Sequence, residues 1–159
     1  MVTKIDKNTI NLFSSKKSDE WETPINHFEE WDKEFKFTLD ACATKNNAKC
    51  DNYITIETNA LKVEWKGRIF CNPPYSKIKE FLQKAEIELR KGKVELIVFL
   101  TFSNTDTKWF HKYIYHKAEL RFIKGRLKFG GVNSKGEKVN NSAMRPSMLC
   151  IFRNKNSEE

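Results

Sequence analysis

Residues 68–75 read Arg68-Ile69-Phe70-Cys71-Asn72-Pro73-Pro74-Tyr75, and residues 76–92 continue as Ser-Lys-Ile-Lys-Glu-Phe-Leu-Gln-Lys-Ala-Glu-Ile-Glu-Leu-Arg-Lys-Gly. The apolar stretch at 68–71 is a candidate strand. Two prolines end it, because proline cannot donate to a strand ladder. Ile78, Phe81, Leu82, Ala85 and Leu89 then recur on one face of a helix, and Gly92 stands where a C-terminal cap belongs. Residues 94–102 are nearly continuous Val, Leu, Ile and Phe, the pattern of a strand buried on both faces of a parallel sheet. Strand, loop, helix and strand in this order predict an α/β fold. They set residues 72–75 beyond the carboxyl end of a strand, where such sheets bind ligands.

Outward from this unit the pattern continues. Thr23-Pro24 reads as a helix start, with Thr23 as cap and Pro24 in the first helical position. Ile25, Phe28, Trp31 and Phe35 follow at helical spacing. Residues 37–40 form a short apolar strand candidate, and 44–52 are polar and loop-like. Downstream, 105–116 reads as a helix. Leu120, Phe122 and Ile123, then Leu127 and Phe129, read as a strand pair. Residues 130–145 read as a long loop, and 148–152 as the last strand. The expected organisation is a basic arm at 1–18, a single domain at 19–153 and a tail at 154–159. The sheet is expected to be mainly parallel with an antiparallel end.

Composition narrows the function classes. The chain has 29 Lys and Arg against 21 Asp and Glu, a net charge of +8 over 159 residues. A compact basic chain of this kind favours polyanionic partners, nucleic acid first. Twelve Phe, four Trp and four Tyr exclude wholesale disorder. Cys42, Cys50, Cys71 and Cys150 form no Cys-x-x-Cys pair, so no metal site is expected and the thiols read as reduced core residues. No apolar run approaches the roughly 20 residues of a membrane helix. A soluble cytoplasmic protein is expected.

Asn72-Pro73-Pro74-Tyr75 resembles the active-site tetrapeptide of amino-methyltransferases that use S-adenosylmethionine, (Asp/Asn/Ser)-Pro-Pro-(Tyr/Phe/Trp). The chemistry has its own logic. An exocyclic amine on a ring is a poor nucleophile, because its lone pair is delocalised. Acceptors on both N–H bonds pull the nitrogen toward sp3 and free that pair. The Asn72 side-chain oxygen and the Pro73 carbonyl are suited to this work. Two prolines hold the acceptors in place beforehand. Tyr75 offers a face on which a planar base can stack. The bland alternative for the same four residues is a proline-rich turn.

The order of pieces is more specific. It runs Trp21-x-Thr23-Pro24, Leu39-Asp40-Ala41-Cys42-Ala43, Asn47-Ala48-Lys49-Cys50, Tyr53, Asn59-Ala60-Leu61, Trp65, then Asn72 to Tyr75. Later come residues 107–110, 122–129 and Pro146-Ser147-Met148. Together, from about residue 20 to 153, they resemble the small phage and prophage DNA N6-adenine methyltransferases, the Dam-like family. The resemblance implies a Rossmann-like methyltransferase fold, S-adenosylmethionine as donor and adenine in double-stranded DNA as acceptor, in the cytoplasm of a bacterial host. It assigns catalysis to Asn72, Pro73, Pro74 and Tyr75. It sets Trp21, Thr23, Pro24, Asp40, Ala41 and Asn72 around the donor, with Asn47 and Tyr53 as neighbours. Asn59 stands where related enzymes often carry an acidic residue near the donor's adenine ring. Ala41 and Ala43 depart from the usual glycines of the donor loop.

A methyltransferase must take its base out of the duplex. Arg121, Lys124, Arg126 and Lys128 are interspersed with apolar residues, and a strand pair would gather some of them on one DNA-facing side. Solvated strand edges are the alternative. Only about 32 residues separate Asp40 from Asn72, which leaves no room for a separate recognition domain. Short or relaxed site recognition, or else help from a second subunit, is expected, in a monomer or a homodimer. Enzymes that methylate RNA or protein glutamine share the tetrapeptide. A non-catalytic nucleic-acid-binding module would share the fold.

Overall fold

The computed structural model describes residues 22–132, 135, 137–143 and 145–155. The predicted arm at 1–18, Trp21 and the end of the predicted tail lie outside the described residues.

Helix α1 spans Ile25–Phe35 and is followed by β1, Leu39–Asp40. Strand β2 is Gly67–Cys71, and the long helix α2 is Ile78–Arg90. Strand β3 is Val94–Phe102, β4 is Glu119–Phe122, β5 is Lys128–Val132, β6 is Lys138–Ser142 and β7 is Ser147–Arg153. The main sheet has the order β1-β2-β3-β7-β4. β1, β2 and β3 are parallel, and β7 runs antiparallel between β3 and β4. This is the mainly parallel α/β sheet with an antiparallel end that the sequence predicts.

The run at 94–102 earns its two-sided burial. Ile97 and Phe99 pack toward α2 with Ile69 and Cys71 of β2. Leu96, Val98 and Leu100 pack toward α1, where Phe28, Trp31 and Phe35 meet Phe70. At about 25 cal/mol per Å² of apolar surface, these two layers dominate the favourable side of folding. Gly67 begins β2 at φ +84°, and a Cβ there would collide with the Thr38 hydroxyl. That hydroxyl accepts the Arg68 N–H at 2.9 Å, so the close approach also sets the register of β1 beside β2.

Between β1 and β2 the chain runs through turns without a helix. Trp65 anchors it. The indole is fully buried and donates to the Ala60 carbonyl at 3.0 Å. The Trp65 N–H donates to the buried carboxylate of Glu88, which Lys84 and Lys91 also hold, at 2.6 and 2.9 Å.

Several local expectations need correction. Pro24, not Thr23, is the cap residue of α1, and no side chain caps it. The Thr23 hydroxyl is engaged elsewhere, as described below. The predicted helix at 105–116 is helical over 108–114, and its buried residues Phe110, Tyr113 and Ile114 pack on the α2 side of the sheet. β4 does not pair with β5, the strand that holds Phe129. It pairs with β7, Leu120 opposite Cys150, which gives its apolar residues a sheet edge to complete. The supposed loop at 130–145 contains most of a hairpin, β5 against β6, with Phe129 opposite Asn141 and Gly131 opposite Val139. Its polar residues hid it from a hydrophobic pattern.

Candidate active site

Asn72 follows β2 directly, and the loop turns at Pro74 into a short helical turn, Tyr75–Lys77, which leads into α2. The Asn72 side-chain N–H donates to Thr23 Oγ1 at 3.1 Å. Thr23 is buried, so this bond forms away from competing water. It fixes the plane of the Asn72 amide and turns the amide oxygen away from Thr23. The Tyr75 hydroxyl accepts from Asn104 Nδ2 at 2.6 Å, and the Tyr75 ring lies 5.5 Å from that of Phe102. The Arg145 guanidinium lies 6.0 Å from the Tyr75 ring centroid.

Two pockets meet here. One is lined by Asn72, Pro73, Tyr75, Phe102, Phe129 and Ser147. The other is lined by Thr23, Asp40, Asn47, Lys49, Phe70 and Asn72. Asn72 belongs to both. Aromatic and proline surfaces dominate the first pocket and suit a flat ring. The second is charged.

Asp40 gives the second pocket its character. Only 2% of the residue is exposed. Its carboxylate accepts the Cys42 N–H at 3.2 Å and the Lys49 N–H at 3.0 Å. Burial nevertheless pushes its pKa from the ordinary 3.8 up to about 6, against the pull of those N–H groups and the Lys49 charge. Lys49 Nζ lies 3.1 Å from Glu22 Oε1, at the same pocket. A buried carboxylate beside an ammonium group complements a ligand end that carries both an amine and a carboxylate.

The family model for DNA N-6-adenine-methyltransferase (Dam) matches residues 11–159. The chain belongs to this family. It is 34% identical over 146 residues to the DNA N-6-adenine-methyltransferase of Haemophilus phage HP1, covering 87% of this chain and 82% of that protein. It is 35% identical over 95 residues to the DNA N-6-adenine-methyltransferase of Escherichia phage T1, covering 58% of this chain and 39% of that longer protein.

In this Dam-family chain, the residues expected around the donor divide into groups. Thr23, Asp40, Asn47 and Asn72 line the second pocket. Pro24 adjoins it at the cap of α1. Tyr53 pairs through its backbone with Asp40. Ala41 is a core residue whose N–H donates to the Phe70 carbonyl at 2.9 Å. Asn59 is not brought to either pocket. It sits in the left-handed region at φ 60° and accepts the Leu61 N–H through its own side chain, a local turn.

The basic residues divide too. Lys124, Arg126 and Lys128 are exposed on the connection from β4 into β5. Phe129, next to Lys128 in the chain, lines the first pocket, and Gly130 pairs with Glu22. Arg121 has another role. It binds both carboxylate oxygens of Glu34, at 2.6 and 2.8 Å, and Glu119 at 2.7 Å, while covering the Phe35 ring. It ties β4 to the far end of α1.

Lys49, Asn104, Phe129, Arg145 and Ser147 line or adjoin the two pockets without having been singled out for a role there. The signal for Ser147 was present in Pro146-Ser147-Met148, a polar residue opening an apolar strand. Phe129 closes the segment 122–129 that carries part of the resemblance, but nothing in the sequence set its ring beside Asn72.

Among the described residues no helix is long and apolar enough to cross a membrane.

Proposed function

We propose that this chain transfers a methyl group from S-adenosylmethionine to the exocyclic N6 of an adenine that has been turned out of double-stranded DNA. The observation that carries this reading is Asn72 as the shared wall of a flat aromatic pocket and a charged one. A group-transfer site needs such a wall, with a single functional group touching both reactants.

When bound, S-adenosylmethionine supplies an electrophilic methyl on a positively charged sulfur. Asp40 and Lys49 face its amino-acid end, the carboxylate toward the ammonium and the lysine toward the carboxylate. In the other pocket Tyr75 and Phe129 hold the adenine ring by stacking and apolar contact. The Asn72 oxygen and the Pro73 carbonyl accept the two N6 hydrogens. Both acceptors grow stronger partners as positive charge develops on nitrogen, so they favour the transition state over the bound amine. The nitrogen lone pair forms the new N–C bond as the methyl–sulfur bond breaks and its electrons return to sulfur. The surplus N6 proton leaves to solvent. Exposed Lys124, Arg126 and Lys128 hold phosphates beside the pocket mouth.

The test is direct. Purified protein, S-adenosylmethionine and unmethylated duplex DNA are incubated, and digested nucleosides are analysed by mass spectrometry. N6-methyladenine is expected, and its rate is expected to fall roughly 100-fold or more in Asn72→Ala. Methylation of RNA or glutamine with none on DNA would overturn the substrate. A near-normal rate in Asn72→Ala would overturn the mechanism.

A further inference from the structure

Two buried side-chain hydroxyls among the described residues, Ser103 Oγ and Ser147 Oγ, have no hydrogen-bond partner. Ser147 is the one that lines the aromatic pocket. It is 1% exposed, so water does not serve it well. It opens β7 directly opposite Phe102 of β3. Along β7, Leu149 and Ile151 alternate with it and pack on the α1 side, where Leu100, Phe102 and Phe129 also pack. The same alternation directs the Ser147 side chain to that side, the side of the pocket.

A buried hydroxyl without a partner is costly, and native structures rarely keep one without a reason. Here the neighbours suggest it. Asn72 and Pro73, the acceptors assigned to N6, line the same pocket. An adenine held by N6 presents two ring acceptors beside that amine, N1 and N7. A hydroxyl on the pocket wall is the donor such an acceptor lacks.

We propose that Ser147 is a specificity-determining residue whose hydroxyl donates a hydrogen bond to a ring nitrogen flanking N6 of the bound adenine. This rests on the adenine reading above and deepens it. Free protein carries the hydroxyl unpaired, and the correct base completes it. A base without an acceptor at that position leaves it unpaired. Discrimination then comes from a polar group that only the right ring satisfies.

Ser147→Ala is the variant of choice, because it removes a group that has no partner in the free protein. It is expected to keep or raise the melting temperature and to leave binding of S-adenosylmethionine unchanged. kcat/KM on an adenine duplex is expected to fall roughly ten- to a hundredfold, the worth of one buried hydrogen bond. The same assay is run with 1-deazaadenine and 7-deazaadenine at the target position. Wild type is expected to lose a similar factor on one of the two analogues, and Ser147→Ala to lose nothing further on that analogue. Independent, multiplicative losses on both analogues would overturn the proposal, as would a Ser147→Ala variant that is less stable and equally active. If wild type leaves the ordinary adenine duplex unmethylated while binding the donor, the adenine reading itself fails. A failure confined to the coupling removes only the role of Ser147.

Discussion

The Asn72 amide donates to the Thr23 hydroxyl at 3.1 Å across 49 residues of sequence. One side chain directly follows β2, and the other precedes α1. Their bond decides which end of the amide is available for chemistry. In this arrangement the amide nitrogen is the end turned to Thr23. Thr23→Val keeps the shape and removes the acceptor. We expect kcat to fall about tenfold with little change in donor affinity, since the amide then loses the Thr23 acceptor that helps to orient it. Steady-state kinetics with both substrates varied checks this. An unchanged kcat would separate Thr23 from the orientation of Asn72.

Asp40 sets a pH dependence. Its pKa in the free protein is raised to about 6 by burial, against 3.8 ordinarily. A cationic donor binds the ionised form. Below pH 6 each unit of acidification is therefore expected to weaken donor binding about tenfold, with a plateau above. Stability moves the other way. The folded state holds this proton more tightly than the unfolded chain does, so between about pH 4 and 6 the group destabilises the fold as pH rises. Titration calorimetry from pH 5 to 8 tests the first effect, and Asp40→Asn is expected to flatten it.

Gly67 is fixed by the approach of Thr38. Gly67→Ala adds a Cβ against the Thr38 hydroxyl at a positive φ. We expect a loss of about 1–3 kcal/mol in urea denaturation. Removing the obstruction in the Gly67→Ala, Thr38→Ala double variant is expected to restore only part of it, because the φ strain remains. Full restoration would assign the whole cost to the collision.

The basic residues are separable by salt. Lys128→Ala and Arg126→Ala are each expected to reduce the slope of log K against log salt for DNA binding by about 1. Arg121→Ala is expected to leave that slope alone and to lower stability by about 1 kcal/mol or less, as its carboxylate partners are partly solvated. A slope change in Arg121→Ala would return that residue to the DNA face.

Tyr75 has two functions to tell apart. Tyr75→Phe removes the bond to Asn104 Nδ2 and keeps the ring. Tyr75→Ala removes both. If stacking dominates, the first variant is expected to act nearly normally, while the second loses about 1–3 kcal/mol of base affinity. Fluorescence of 2-aminopurine at the target position reads that difference.

The strongly periodic parts of this fold were legible from the chain. The stripe of α2 and the continuous run of β3 leave little choice, because both faces of β3 are covered. Asn72 was legible for a different reason, as prolines mark where a strand must stop. The β5–β6 hairpin was not legible. Residues 130–142 contain little apolar surface to alternate, and the pairing is carried by backbone bonds. The carboxylate partner of Arg121 was not legible, because charge in a sequence does not say what pairs with it, and Glu34 lies 87 residues away. The pockets that Lys49 and Ser147 line are assembled only by folding.

Glu22 has two attachments that bear on the order in which ligands act. Its backbone exchanges two hydrogen bonds with Gly130, at 3.0 and 3.1 Å, and its side chain holds Lys49 in the charged pocket. Gly130 follows Phe129, which lines the aromatic pocket. On the proposed reading, a shift of Lys49 toward the donor's carboxylate would bear on Glu22 and so on the hairpin that carries Phe129. We expect this link to couple the two binding events, and such a coupling is reciprocal. Whatever factor the first ligand adds to the affinity of the second, the second returns to the first.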